Sequence, residues 1–208
     1  MMKLEAPARD VPADPAVLRL PPAALLVVAG VPGAGKTTLL SRIDAPGSLV
    51  LDPEPIRVRY QRLLGPTPYR LWRPLVHAEH FLRVVLALPG PWGLIVHDTG
   101  TRGWRRRLLA GLAGRCGRTG HLLFLDVPAT VALEGQRRRR RALPRSAFAT
   151  HWRHWRELRA ALPDPGEPAA TDAPDTDPTG LHAEGWRSVR VLDRPAANRL
   201  HRVDTPRR

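Results

Sequence analysis

Residues 24–43 read ALLVVAGVPGAGKTTLLSRI. An apolar run, Ala24 to Ala29, enters a turn carrying Gly30, Gly33 and Gly35, and an apolar helical pattern leaves it. The run is that of a strand buried on both faces, and three glycines before a helix let successive backbone N–H groups converge on one point without Cβ obstruction. The spacing Gly30-x-x-Gly33-Ala34-Gly35-Lys36-Thr37-Thr38 satisfies G-x-x-x-x-G-K-[ST], the loop that cradles phosphate oxygens. Lys36 would reach the β- and γ-phosphates, and the Thr37 hydroxyl would ligate Mg²⁺. Lys36 is one of only two lysines among 33 basic residues, the other being Lys3. A compact ammonium suits such a loop where a planar guanidinium does not. A chain committed to this strand, loop and helix is committed to an α/β architecture.

The remaining sequence extends that pattern. Short apolar runs at Ser48–Asp52, Leu94–His97, His121–Asp126 and Val189–Leu192 alternate with helical patterns at Thr37–Ile43, Ile56–Leu64, Tyr69–Leu88, Trp104–Arg115, Ala129–Arg141 and Phe148–Leu162. Such alternation predicts a mostly parallel sheet with helices on both faces, three layers in all. Val17–Leu20 reads as a short edge strand preceding the first buried one. In the helix from Tyr69, the residues Leu75, Phe81, Val84 and Val85 are expected to point inward. Residues 1–16 read as a flexible leader and 17–208 as one domain, interrupted by an acidic Pro-rich insertion at 163–185.

Length and composition exclude other classes. A chain of 208 residues suits one well-buried domain. Its longest apolar stretch, Ala23–Val31, is far short of the roughly 20 residues needed to span a bilayer. The N-terminus lacks the apolar core of a signal peptide, and Cys116 is the sole cysteine, which excludes a disulfide framework. A cytoplasmic protein is expected.

The net charge of +14 is uneven. From Arg102 to Arg159 there are 15 Arg against Asp126, Glu134 and Glu157, whereas Asp164 to Glu184 holds six acids and no Lys or Arg. The basic stretch suggests a polyanionic ligand near mid-chain, with a solvated basic face as the alternative.

Three further groups carry candidate chemistry. Asp98 ends the strand LIVH, where a carboxylate would hold Mg²⁺ beside the phosphates; the alternative is a cap on the turn Thr99-Gly100. Asp52 and Glu54 leave the second strand with Arg57 behind them, so that either carboxylate would take the proton of an attacking hydroxyl and Arg57 would hold acceptor or phosphate. The alternative is an acidic N-cap region. In the segment Gly135-Gln136-Arg137-Arg-Arg-Arg-Arg141-Ala-Leu-Pro-Arg145, the residues Arg137, Arg141 and Arg145 share one helical stripe. From a lid at about 134–147 they would stabilise charge on a transferring phosphoryl group.

These residues resemble the small P-loop kinases related to zeta toxins and polynucleotide 5'-kinases, a group of AAA-type ATP-binding proteins. The resemblance rests on Gly30–Thr38, on Asp52-Pro-Glu54-Pro-Ile-Arg57, on Asp98-Thr99-Gly100-Thr101-Arg102 and on the Arg-bearing segment Gln136–Arg145. It implies a P-loop NTPase fold with an Arg-rich lid, ATP and Mg²⁺ as ligands, and catalytic roles for Lys36, Arg57 and the lid arginines. It also places Arg194 beside the adenine. One departure is visible: Glu54 stands where these kinases often carry the acceptor-activating aspartate, so the base is Asp52 or Glu54. Three functions follow as expectations: transfer of the ATP γ-phosphate to a hydroxyl of a small-molecule acceptor, transfer to a polynucleotide 5'-hydroxyl, or a nucleotide-dependent switch with little kinase activity.

Overall fold

The computed structural model describes residues 17–138, 144–162, 164–165 and 180–208. The leader 1–16, Arg141, the side chain of Arg145 and most of the insertion lie outside the described residues. The elements in chain order are β1 (Val17–Arg19), β2 (Leu25–Ala29), α1 (Lys36–Leu40), β3 (Ser48–Leu51), α2 (Pro53–Leu64), α3 (Tyr69–Ala87), β4 (Gly93–His97), α4 (Gly103–Arg115), β5 (Gly120–Leu125), α5 (Ala129–Arg138), α6 (Arg145–Arg159), β6 (Trp186–Leu192), α7 (Arg194–Arg199) and β7 (Arg202–Asp204). Among them no helix is long and apolar enough to cross a membrane.

Five strands form one parallel sheet in the order β3-β4-β2-β5-β6, flanked by helices. This is the three-layer P-loop NTPase architecture. Every residue of β2 and β5 is buried, as strands covered on both faces must be. With Val28 opposite His97 and Leu51 opposite Val96, the C-terminal ends of β2, β4 and β3 lie side by side. That edge collects the phosphate loop, Asp98 and Asp52, as the crevice rule for open α/β sheets requires.

Three expectations are corrected. Val17–Arg19 is no edge of the main sheet: it pairs in parallel with β7, and Asp44 bridges to Arg202 beside it. The helix after the loop ends at Leu40 instead of Ile43, because Arg42 turns out to donate to the carbonyls of Ala197 (2.5 Å) and Leu200 (3.4 Å) and the chain then enters the Asp44 bridge. In α3 the buried stripe is Trp72, Val76, His80 and Val84, while Leu75 faces solvent and Phe81 and Val85 are half-buried. Trp72 and Val76 join Ile56 and Tyr60 in a small second core that binds α2 to α3. Tyr69 packs edge-on against Trp72 at 4.6 Å.

A buried polar pair marks the opposite end of the sheet. His121 lies 2.7 Å from the Ser188 hydroxyl through Nδ1 and 3.1 Å from the Thr119 hydroxyl through Nε2. Burial, then the guanidiniums of Arg190 and Arg187, lower its pKa to about 4. An unfolded imidazole titrates near 6.5, so between those values the unfolded chain binds a proton that the fold excludes. The stabilising contribution is complete above about pH 6.5 and is lost as the pH falls toward 4. The urea midpoint should drop across that window, and His121→Gln should flatten the drop.

Candidate functional site

The phosphate loop is built by backbone geometry. Gly30, Gly33 and Gly35 hold φ of +139°, +93° and +102°, a region that side chains rarely enter. Space is as tight as conformation: a Cβ on Gly33 would stand 2.0 Å from the Ala132 carbonyl oxygen, and one on Gly30 2.8 Å from that of Leu125. The counterpart is Gly135 of α5, whose Cβ would stand 2.5 Å from the Gly33 oxygen. The backbone of α5 thus rests directly on the loop, and the buried Gln136 donates to the Pro32 carbonyl at 2.9 Å. The segment expected to begin a lid is fixed to the loop at its root.

Lys36 is 4% exposed and donates to the carbonyls of Gly30 (2.6 Å) and Val31 (3.1 Å). Since α1 has five residues, its dipole is small, and the convergent N–H groups of the loop supply most of the positive potential.

Asp52 connects three elements at this edge. Its Oδ1 accepts from the Glu54 N–H (2.7 Å), capping α2, and its Oδ2 accepts from His97 Nδ1 (3.1 Å). The Thr37 hydroxyl lies 3.5 Å from the same imidazole nitrogen. Burial pushes the Asp52 carboxyl up, but the His97 bond and charge, with the Glu54 N–H and Thr37, hold it below its ordinary value. Burial lowers the His97 pKa against the pull of Asp52, with the Lys36 ammonium adding to the fall. His80 Nε2 meets the His97 carbonyl at 3.0 Å. His97 therefore belongs to the site, although in the sequence it reads only as the last residue of a strand.

Glu54 is occupied differently. It forms a two-pronged pair with Arg57, at 2.9 Å to Nη2 and 3.1 Å to Nε. Asp98 is buried and already partnered: Oδ1 accepts from the Gly100 N–H (2.9 Å) and the Thr99 hydroxyl (3.4 Å), and Oδ2 pairs with Arg105 at 2.7 Å. The turn-capping role of Asp98 is thus observed, together with an arginine partner that spacing did not indicate.

Burial, then the charges of Arg102, Arg73 and Lys36, hold His151 of α6 below its usual range. The Arg194 guanidinium stands 2.9 Å from the position of a Gly35 Cβ and 3.4 Å from the Ala34 carbonyl, against the loop itself. Arg137 is exposed on the last turn of α5. A cleft of about 330 Å³ opens beside Thr37 and Asp52, with Ser41, Glu54, His80 and Arg83 as its other polar walls and Leu40 and Val50 among the apolar ones. Among the described residues no three His, Cys, Asp or Glu side chains form a metal cage.

A parallel sheet whose central strand ends in a glycine cradle, with a buried lysine in the loop and carboxylates at the ends of the next two strands on one side, β4 and β3, defines a P-loop domain. The family comparison agrees. The chain belongs to the AAA-domain family, whose model matches residues 25–165. No curated protein matches the sequence. Among solved structures, the chain is similar to one from the PezAT chromosomal toxin-antitoxin system of Streptococcus pneumoniae, at 15% identity and a TM-score of 0.49, over 67% of this chain and 63% of that one. It therefore spans less than two thirds of that protein's length. It is also similar to the tunicamycin resistance protein of Deinococcus radiodurans, at 24% identity and a TM-score of 0.41, over 66% of this chain and 80% of that one. A gluconokinase from Sinorhizobium meliloti shares 19% identity at a TM-score of 0.44, over 85% and 86% of the two chains.

Proposed function

We propose that the chain binds ATP on the loop Gly30–Thr38 and transfers the γ-phosphoryl group to a hydroxyl of a small-molecule acceptor seated in the cleft beside Asp52. The observation that carries this reading is the placement of one carboxylate, Asp52, at both the loop and the cleft, oriented through both its oxygens by His97 and the α2 N-terminus. Asp52 takes the proton from the acceptor hydroxyl as its oxygen bonds to the γ-phosphorus and the bond to the β-phosphate oxygen breaks, releasing ADP. Glu54, already paired with Arg57, holds that guanidinium toward the acceptor side.

The loop suits a triphosphate because Gly30, Gly33 and Gly35, at positive φ and packed too closely on Leu125, Ala132 and Arg194 to carry a Cβ, hold the backbone turn on which N–H groups converge. Lys36 turns from the Gly30 and Val31 carbonyls to the β- and γ-phosphates, and Arg194 adds charge at the same end. The Thr37 hydroxyl and, through water, the Asp98 carboxylate would hold Mg²⁺. When bound, that ion neutralises charge on the β- and γ-phosphate oxygens. Arg137 and Arg141 are the candidates for covering the transferring group.

A nucleic-acid 5'-hydroxyl is the weaker acceptor class. Part of the basic stretch that suggested it is committed inside the fold: Arg105 to Asp98, Arg106 to the Gly100 carbonyl and Glu184, Arg118 to backbone carbonyls, Arg159 to Asp126. With γ-labelled ATP and a small-metabolite extract, Asp52→Asn should slow label transfer by about 10²-fold while ATP affinity stays within about twofold. Glu54→Gln should cost less. An unchanged rate in Asp52→Asn would remove Asp52 as the base.

A further inference from the structure

The cleft beside Asp52 carries charge of both signs. Asp52 and Glu54 come from the junction of β3 and α2, and Glu54 is taken up by Arg57. From α3 comes Arg83, the one cation among the described residues that line the cleft. It lies one turn beyond His80, whose ring meets the His97 carbonyl, so this part of α3 sits at the same strand ends as Asp52. The transfer of a phosphoryl group to a hydroxyl leaves Arg83 without a role.

The charge of Arg83 is not cancelled within the fold. Its Nη2 meets Glu79 Oε1 at 2.8 Å, but the other oxygen of that carboxylate pairs with Arg59 of α2. Two guanidiniums about one carboxylate leave one net positive charge. Glu79 is not among the residues that line the cleft, whereas the Arg83 side chain is 45% exposed. An exposed ion pair one helical turn apart binds weakly, and a guanidinium has five N–H donors, so Arg83 can serve a second oxyanion beside Glu79.

We infer that the acceptor is a small hydroxy compound bearing an oxyanion, a carboxylate or a phosphate, which Arg83 binds while the hydroxyl faces Asp52; this rests on the phosphotransfer proposed above. Arginine is suited to such a group, since its planar fork matches the geometry of both oxyanions. The two signs of charge also fix the direction of binding. An oxyanion at the other end would face the Asp52 carboxylate and be repelled, so the acceptor enters with its hydroxyl toward the phosphate loop. A cleft of about 330 Å³ is at the low end of small-molecule sites, which limits the acceptor to a few carbons beyond these two groups.

The test divides a small-metabolite extract on an anion exchanger and offers each fraction to the protein with γ-labelled ATP. Label should pass to a compound of the retained fraction and to none of the flow-through. Phosphatase treatment before the division tells the two oxyanions apart: acceptor activity moves to the flow-through for a phosphate and stays retained for a carboxylate, either result meeting the inference. Arg83→Gln should raise KM for the retained acceptor about 30-fold with ATP affinity unchanged, and Arg83→Lys should recover part of the loss. Glu79→Gln, which leaves both guanidiniums uncompensated, should lower KM, a change that mere damage to α3 would not produce. Acceptor activity in the untreated flow-through, or a KM indifferent to Arg83→Gln, would overturn the inference. Binding is read without turnover by saturation-transfer NMR of the retained fraction with ADP-loaded protein, where Arg83→Gln should abolish the bound signals. Bound signals without labelled product would remove the phosphotransfer and keep the oxyanion site; no signal sensitive to Arg83 would remove the site.

Discussion

Replacing Lys36 with methionine is expected to cut ATP turnover by about 10³-fold and to weaken ATP binding severely, with the folded spectrum retained. Among the described residues Lys36 is the single ammonium at the glycine cradle; it is 4% exposed, and it already reaches the loop's own carbonyls at 2.6 and 3.1 Å. Those carbonyls are near enough to stand in for phosphate oxygens, so a small rotation moves the charge onto them. Methionine preserves the bulk of the side chain and removes the charge. Lys36→Arg should fail as well, because a planar fork does not fit that enclosed position. Isothermal titration with ATP and with ADP, alongside a phosphate-release assay, separates loss of binding from loss of chemistry.

Arg118→Met is expected to destabilise the fold by about 3–5 kcal/mol, lowering Tm by about 10 °C. Arg118 is 4% exposed and has no carboxylate partner among the described residues; its guanidinium donates to the backbone. It reaches the carbonyls of Leu88 (2.5 Å), Ala23 (2.6 Å), Gly90 (2.6 Å), Trp92 (2.7 Å) and Ala87 (3.3 Å). Two of these end α3, Gly90 follows in the turn, and Ala23 and Trp92 lie just before β2 and β4, so one side chain ties the helix end to the approaches of two strands. Without it, several buried carbonyls lose their donors at once. Burial disfavours the charge, and the carbonyl shell is what retains it. Differential scanning calorimetry of Arg118→Met measures the effect, and Arg118→Lys should recover only part of it, since an ammonium cannot reach five acceptors.

The sequence was most informative where one residue type suits one geometry. Glycines at three fixed offsets before a lysine specify the cradle, and alternating apolar runs specify a buried parallel sheet. It was least informative where a side chain could choose its partner. The arginines from 102 to 159 look alike in the chain, yet in the fold Arg105 holds Asp98, Arg106 ties the Asp98 turn to Glu184, and Arg118 caps a helix. The described acids of the insertion behave similarly: Glu184 pairs with Arg106 and Arg107, and Asp164 with Arg159.

Misplaced residues have physical causes. Leu75 was expected inward because α3 is apolar on both faces and its buried stripe contains a histidine, which pattern counting takes for a surface residue. His80 is buried because the His97 carbonyl satisfies its ring nitrogen. His97 went unnoticed as a site residue because it closes an apolar run, and only the parallel register brings it to Asp52. The Gly33–Gly135 contact joins residues a hundred positions apart, and Gly135 looks like an ordinary poor helix former until its missing Cβ is set against the loop. The final helix and strand, α7 and β7, are too short to show a period.

The most direct test of the central claim is the fate of the γ-phosphate. Wild type and Lys36→Met are each incubated with γ-labelled ATP and a small-metabolite extract, and labelled products are separated by mass. The account predicts a labelled organic phosphate formed by wild type and absent with Lys36→Met. Label that remains in ATP, or passes only to inorganic phosphate, with wild type and variant alike would contradict it.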